Sequence, residues 1–214
     1  MKVFNWNSSK LFFSNPKTGS ESLREMLTPY SDILDIPYKE TTKENPFYSH
    51  ISPLEVKNIF NAQGFNFDEY YKIVCIRNPF NRLVSLYEMI FRKWPIKPPF
   101  DIWLKSTKTK GKGGGGKHSD RWRMYGTYSL KNYISDQHGN ILVDNIICLE
   151  NFNEEIPKLF KTLNIDLPPE FKVIKKNVRK RKKKVTDYYS EKSKKLVYQR
   201  YKWEIEKFNY NFPE

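Results

Sequence analysis

Three short apolar runs, Leu11–Ser14, Tyr70–Ile76 and Asn145–Leu149, constrain the fold of this chain more than any other feature. Each is rich in Phe, Ile or Val and too short for a helix of ordinary length, so each reads as a buried strand. A helical pattern follows every one of them. Leu23, Met26 and Leu27 fall on one side of a helix over Glu21–Leu27. Leu83, Leu86, Tyr87 and Ile90, spaced i, i+3, i+4 and i+7, predict a helix from Arg82 to Arg92. Further helices are predicted over Glu154–Leu163 and Glu191–Phe208. Ser52 has the marks of an N-cap, with Pro53 at the first helical position and Glu55 completing a capping box. Ile33–Ile36 is a further candidate strand. Strands alternating with helices predict an α/β domain around a central, mainly parallel sheet. At 214 residues the chain is long enough for one such domain, 1–214, with its own core.

The charge is concentrated. Lys and Arg number 38 against 24 Asp and Glu, a formal net charge of +14. Residues 172–184 hold nine of the basic groups and no acid, and residues 105–123 hold seven with one acid, Asp120. The rest of the chain carries 22 basic and 23 acidic groups, so its body is near neutral. A uniformly basic coat of the kind that wraps nucleic acid is excluded, and two local anion sites or two solvated loops are left. The four consecutive glycines Gly113–Gly116 make the first segment a flexible loop on composition.

Other classes fall away quickly. No apolar run approaches the roughly 20 residues of a membrane span. The residues Met1–Asn7 show no signal-peptide core, so the expected location is the cytoplasm. Cys75 and Cys148 sit in apolar strand-like runs and are expected to be buried free thiols. His50, His118 and His138 show no zinc-ligand spacing.

Two strand-to-helix junctions carry chemistry. After Leu11–Ser14 comes Asn15-Pro16-Lys17-Thr18-Gly19-Ser20, then a helix. A helix N-terminus offers unpaired N–H groups and a positive dipole end, Lys17 adds a full charge, and Thr18, Ser20 and Ser22 add hydroxyls. This is a phosphate-holding recipe, although the Walker glycine before the lysine is replaced by Pro16. At the second junction Arg77 ends a strand at the edge where α/β proteins bind ligands, and its planar fork suits a phosphate. Together they point to a ligand with two separated anionic groups.

The residues at these junctions resemble the sulfotransferases. Pro16-Lys17-Thr18-Gly19-Ser20-Glu21-Ser22-Leu23 is similar to their 5′-phosphosulfate loop, and Ile76-Arg77-Asn78-Pro79-Phe80-Asn81-Arg82-Leu83-Val84-Ser85 to their 3′-phosphate motif. The resemblance is to the carbohydrate group that includes heparan sulfate 2-O-sulfotransferase and short bacterial relatives. It continues through His50-Ile51-Ser52, Leu149-Glu150-Asn151-Phe152 and the ending Tyr188-Tyr189, Tyr201, Ile205 and Phe208-Asn209-Tyr210. It implies a P-loop-like three-layer α/β fold, and 3′-phosphoadenosine 5′-phosphosulfate (PAPS) as sulfonate donor with no required metal. The implied acceptor is a carbohydrate or glycoconjugate hydroxyl. By match, Lys17 contacts the bridging oxygen of the donor, and Thr18, Gly19, Ser20 and Ser22 cradle the 5′-phosphate. Arg77 and Ser85 hold the 3′-phosphate, and His50 is the general base. Arg179 and Arg181 fall in the loop that folds over the nucleotide in the family. Glu150 is read as structural.

One position departs from the pattern. Glu21 stands where the family carries threonine, and a carboxylate repels a phosphosulfate at close range. The expectation is that its side chain turns outward while its backbone N–H serves the phosphate. The Lys105–Arg123 segment, with Trp103, Trp122 and Tyr125 nearby, either receives an acidic saccharide or is a low-complexity surface loop. Three rival functions are weighed. A basic nucleic-acid-binding protein leaves Lys17 and Arg77 unexplained, and a kinase-like protein lacks the Walker glycine. The third is an inactive sulfotransferase-like nucleotide-binding protein, which Glu21 keeps in view.

Overall fold

A computed structural model describes residues 2–4, 9–31, 42, 46–109, 126–174 and 183–214. Strands β1 (Lys2–Phe4), β2 (Lys10–Phe13), β3 (Tyr71–Ile76) and β4 (Asn145–Cys148) form one sheet in the order β1-β2-β3-β4. β1 is antiparallel to β2, while β2, β3 and β4 run parallel. Phe13 lies beside Val74, and Ile76 beside Cys148. That register brings the C-terminal ends of the three parallel strands to one edge.

The pleat sorts side chains into two layers. Leu11, Phe13, Val74, Ile76 and Cys148 face one way, into a core with Val56, Phe60 and Tyr133. Phe12, Ile73, Cys75 and Ile147 face the other way, onto Leu23, Leu27, Phe152, Ile156 and Phe160. Helix α1 (Ser20–Leu27) thus packs on the second face and α2 (Pro53–Ala62) on the first. A third cluster joins α3 (Pro79–Ile90), α4 (Phe100–Ser106) and the C-terminal helices through Phe80, Leu83, Leu86, Trp103, Val197, Tyr201 and Ile205. The remaining α-helices among the described residues are α5 (Leu130–Ile134), α6 (Phe152–Thr162), α7 (Glu191–Arg200) and α8 (Lys202–Lys207).

The predicted capping box at Ser52 is present, each partner bonding the other's backbone N–H, and Glu55 also accepts from the Tyr48 hydroxyl at 2.5 Å. Four features differ from expectation. α3 starts at Pro79 rather than Arg82, because Asn78 caps it by accepting from Phe80 N–H. α4 and α5 are additional short helices, and β1 adds an antiparallel edge. The single helix expected over Glu191–Phe208 is broken at Tyr201 (φ −119°, ψ 23°). Tyr201 there sends its hydroxyl to the Thr127 carbonyl at 2.5 Å. The predicted strand Ile33–Ile36, His118, Trp122, Tyr125 and most of the two basic segments, Arg179 and Arg181 included, lie outside the described residues. Among those described, no helix is long and apolar enough to cross a membrane.

Candidate active site

The loop after β2 sits at the C-terminal edge of the sheet and turns sharply. Lys17 (φ 65°) and Gly19 (φ 79°) are both in the left-handed region, a costly conformation for lysine that clusters at functional sites. Glycine suits position 19 because its φ is left-handed and a Cβ there would run into the Leu149 side chain. The buried Thr18 hydroxyl donates to the Asn15 carbonyl at 2.7 Å and so holds the turn closed. Ser20 and Ser22 are also buried. Side chains cap α2, α3, α5 and α7, whereas α1, like α4, α6 and α8, has no side-chain cap; it opens on Gly19, which has no side chain to offer. At the root of the loop the buried Asn15 amide and Ser14 hydroxyl have no hydrogen-bond partner among the described residues. A helix N-terminus without a side-chain cap, a glycine cradle and orphaned buried polar atoms fit an anionic ligand.

His50 joins this loop from the other side. Its backbone is also left-handed (φ 65°), between buried Tyr48 and Ile51 and the Ser52 cap. Its Nδ1 lies 2.5 Å from the Ser14 carbonyl oxygen. A carbonyl can only accept, so Nδ1 carries the proton and Nε2 keeps its lone pair. Burial lowers the imidazole pKa to about 4, reinforced by neighbouring cations including Arg24 and Lys17 and opposed by the Ser14 contact. The ring is therefore neutral at pH 7.

Helix α3 ties the second junction to the first. The half-buried Arg77 leaves the end of β3, and Asn78 caps α3. Ser85 and Met89 are four residues apart and share a face of that helix. Lys17 Nζ contacts Met89 Sδ at 3.5 Å, which sets the lysine one turn along α3 from Ser85. Lys17, His50 and the α3 face that carries Ser85 thus belong to one neighbourhood at the edge of the sheet.

The family model described as "Sulfotransferase family" matches residues 3–211 of the 214-residue chain. The chain belongs to the sulfotransferase family. No curated protein and no solved structure matches it. The fold is the α/β sulfotransferase fold, and the chemistry that comes with it is transfer of a sulfonate group.

In this sulfotransferase Glu21 pairs with Arg24 one turn further along α1, on the less buried side of the helix. Arg82, within the Arg77–Ser85 motif, is fully buried. It donates to the Tyr128 carbonyl at 2.6 Å, lies 3.5 Å from Glu204 Oε1 and faces the Tyr201 ring. It is part of the core. Trp103 is buried against Tyr87 and Phe100, which removes it as a platform for sugars. Trp94, five residues beyond Met89, is 57% exposed beside exposed Arg92 and Lys93. His138 is exposed in a turn. Sequence reasoning missed Arg24 and Met89: the Glu21–Arg24 pair is a local i, i+3 contact that helical spacing could have shown, whereas only the fold brings Met89 to the loop.

Proposed function

We propose that this sulfotransferase moves the sulfonate group of PAPS to a hydroxyl of a carbohydrate or glycoconjugate acceptor. The observation that carries this reading is the convergence of Lys17, the uncapped start of α1 and His50 Nε2 at one edge of the sheet, with Arg77 at the same edge. The backbone N–H groups of Gly19, Ser20 and Glu21 would receive the 5′-phosphate, while the Ser22 N–H serves the Gly19 carbonyl at 2.9 Å and its side chain lines the same turn. The Thr18 hydroxyl already serves the loop, so its backbone is the better donor. Arg77 and Ser85 take the 3′-phosphate, and Arg179 and Arg181 remain donor contacts of this proposal on the family pattern alone.

The acceptor oxygen attacks sulfur as the bond from sulfur to the bridging oxygen breaks. His50 Nε2 takes the hydroxyl proton while Nδ1 stays bonded to Ser14, and Lys17 stabilises the charge growing on the leaving phosphate. The products are a sulfate ester and 3′-phosphoadenosine 5′-phosphate (PAP). The Glu21–Arg24 pair offsets the carboxylate charge that would otherwise face the donor.

Thermal-shift titration with PAP tests the donor. Binding to the folded state stabilises by about 2.7 kcal/mol at a hundredfold excess over Kd, so the melting temperature rises. Arg77→Ala is expected to abolish most of the shift. No shift of the wild-type protein at millimolar PAP, or no labelled sulfonate on any member of a saccharide panel, overturns the proposal.

A further inference from the structure

Residues 210–212, which follow α8, are fastened to the Arg77 junction. α8 ends in a left-handed turn at Asn209 (φ 51°), with Tyr210 N–H donating to the Ile205 carbonyl at 2.9 Å. The reversal sends residues 210–212 back to the edge of the sheet. There the Tyr210 hydroxyl donates to Glu150 Oε2 at 3.1 Å, and Asn78 Nδ2 donates to the Asn211 carbonyl at 2.7 Å. Phe212 packs edge-on against Phe80 and Tyr189, with ring centroids at 5.1 and 5.5 Å. Glu150 Oε1 accepts the Asn78 N–H at 3.0 Å, and the Phe80 carbonyl accepts from the Tyr189 hydroxyl at 2.9 Å.

Contacts from β4 onward therefore converge on Asn78-Pro79-Phe80, immediately after Arg77. Glu150 is an exposed carboxylate beside a junction suited to phosphate, an unfavourable place for an acid. Its two oxygens are occupied by the Asn78 N–H and the Tyr210 hydroxyl. Burial and Glu150 itself raise the Tyr210 pKa, so the phenol remains a donor. A bidentate guanidinium contact depends on where its backbone starts.

We propose that Glu150 and residues 210–212 form a latch that sets the direction in which Arg77 leaves β3, and that this latch gives the protein its preference for a nucleotide carrying a 3′-phosphate. The latch rests on the reading that Arg77 holds that phosphate. Glu150 and Tyr210 are positioning residues, acting through Asn78.

The test compares PAP with adenosine 5′-monophosphate, which lacks the 3′-phosphate, by titration calorimetry. Proteins compared are the wild type, Glu150→Ala, Glu150→Gln, Tyr210→Phe and a chain ending at Asn209, each checked for its melting temperature. Wild type is expected to favour PAP. Glu150→Ala and the shortened chain should lose about tenfold of that preference, the worth of one charge-assisted hydrogen bond, with monophosphate affinity unchanged. Glu150→Gln, which keeps an acceptor for Asn78, should stay close to wild type. Should the shortened chain fail to fold, the point variants decide. Equal weakening of both nucleotides, or an unchanged ratio in Glu150→Ala, overturns the latch. A wild-type protein without any preference for PAP overturns the Arg77 reading beneath it.

Discussion

His50 is made a weak base first by burial and then by nearby cations, and the same environment keeps it ready to accept a proton at neutral pH. With its pKa lowered to about 4, the acidic limb of kcat/KM, which reports the free protein, should lie well below the usual imidazole range. A bound donor brings negative charge toward Lys17 and Arg24, so the corresponding limb of kcat should move upward. Measuring both limbs decides the matter: a kcat/KM limb at pH 6 to 7 would mean the imidazole is not held in this way. Lys17, His50 and Arg77 could be found in the sequence because each lies in a short stretch whose local chemistry is distinctive. The contrast between the two tryptophans could not, since nothing in Arg92-Lys93-Trp94 says that the Trp94 indole is exposed while Trp103 is buried. That distinction is made by Tyr87 and Phe100, which pack against Trp103 and leave it no open face.

Among the elements, the break at Tyr201 has a partner in α3. It brings Tyr201 and the fully buried Glu204 to Arg82, while Glu204 Oε2 accepts the Leu130 N–H at 2.7 Å at the start of α5. Removing one member of a buried ion pair costs about 3–5 kcal/mol, because the other charge is stranded. Glu204→Leu should therefore depress the denaturation midpoint strongly. Adding Arg82→Met removes the stranded charge but still leaves the Tyr128 carbonyl and Leu130 N–H without these partners, at about 1–3 kcal/mol each. The double variant is thus expected between Glu204→Leu and wild type in a denaturant titration, and a double variant less stable than Glu204→Leu would contradict this account. The parallel strands and their following helices were legible because apolar runs and 3.6-residue periodicity are local signals. The helix break was not, because its cause lies in Thr127 and Arg82, which the periodicity of residues 191–208 does not contain.

At the scale of the whole molecule, two groups shifted by desolvation, His50 and Glu204, pull the pH dependence of stability in opposite directions. His50 has a folded pKa near 4 against an ordinary 6.5, so its share of stability is present above pH 6.5 and lost as pH falls through 4. Glu204 is pushed up to about 7 from 4.5 by burial, against the pull of Arg82, so its share is present below pH 4.5 and lost as pH rises through 7. Melting temperature should consequently vary little between these limits. His50→Gln should make it fall with rising pH, and Glu204→Gln should make it rise; matching slopes in the two variants would exclude the assignment. The two cysteines add a different consequence. Cys75 and Cys148 are buried on opposite faces of the sheet, and burial raises both thiols, Cys148 to about 12. Neither thiol is poised to react while its layer stays closed. Cys75 answers to the parting of the layer that holds α1 and α6. Cys148, whose thiol bonds the Tyr210 side chain, answers to that of the layer that holds α2 and Tyr210. Alkylation followed over time by mass spectrometry would therefore time the parting of each layer separately, with no foreign reporter added to the chain.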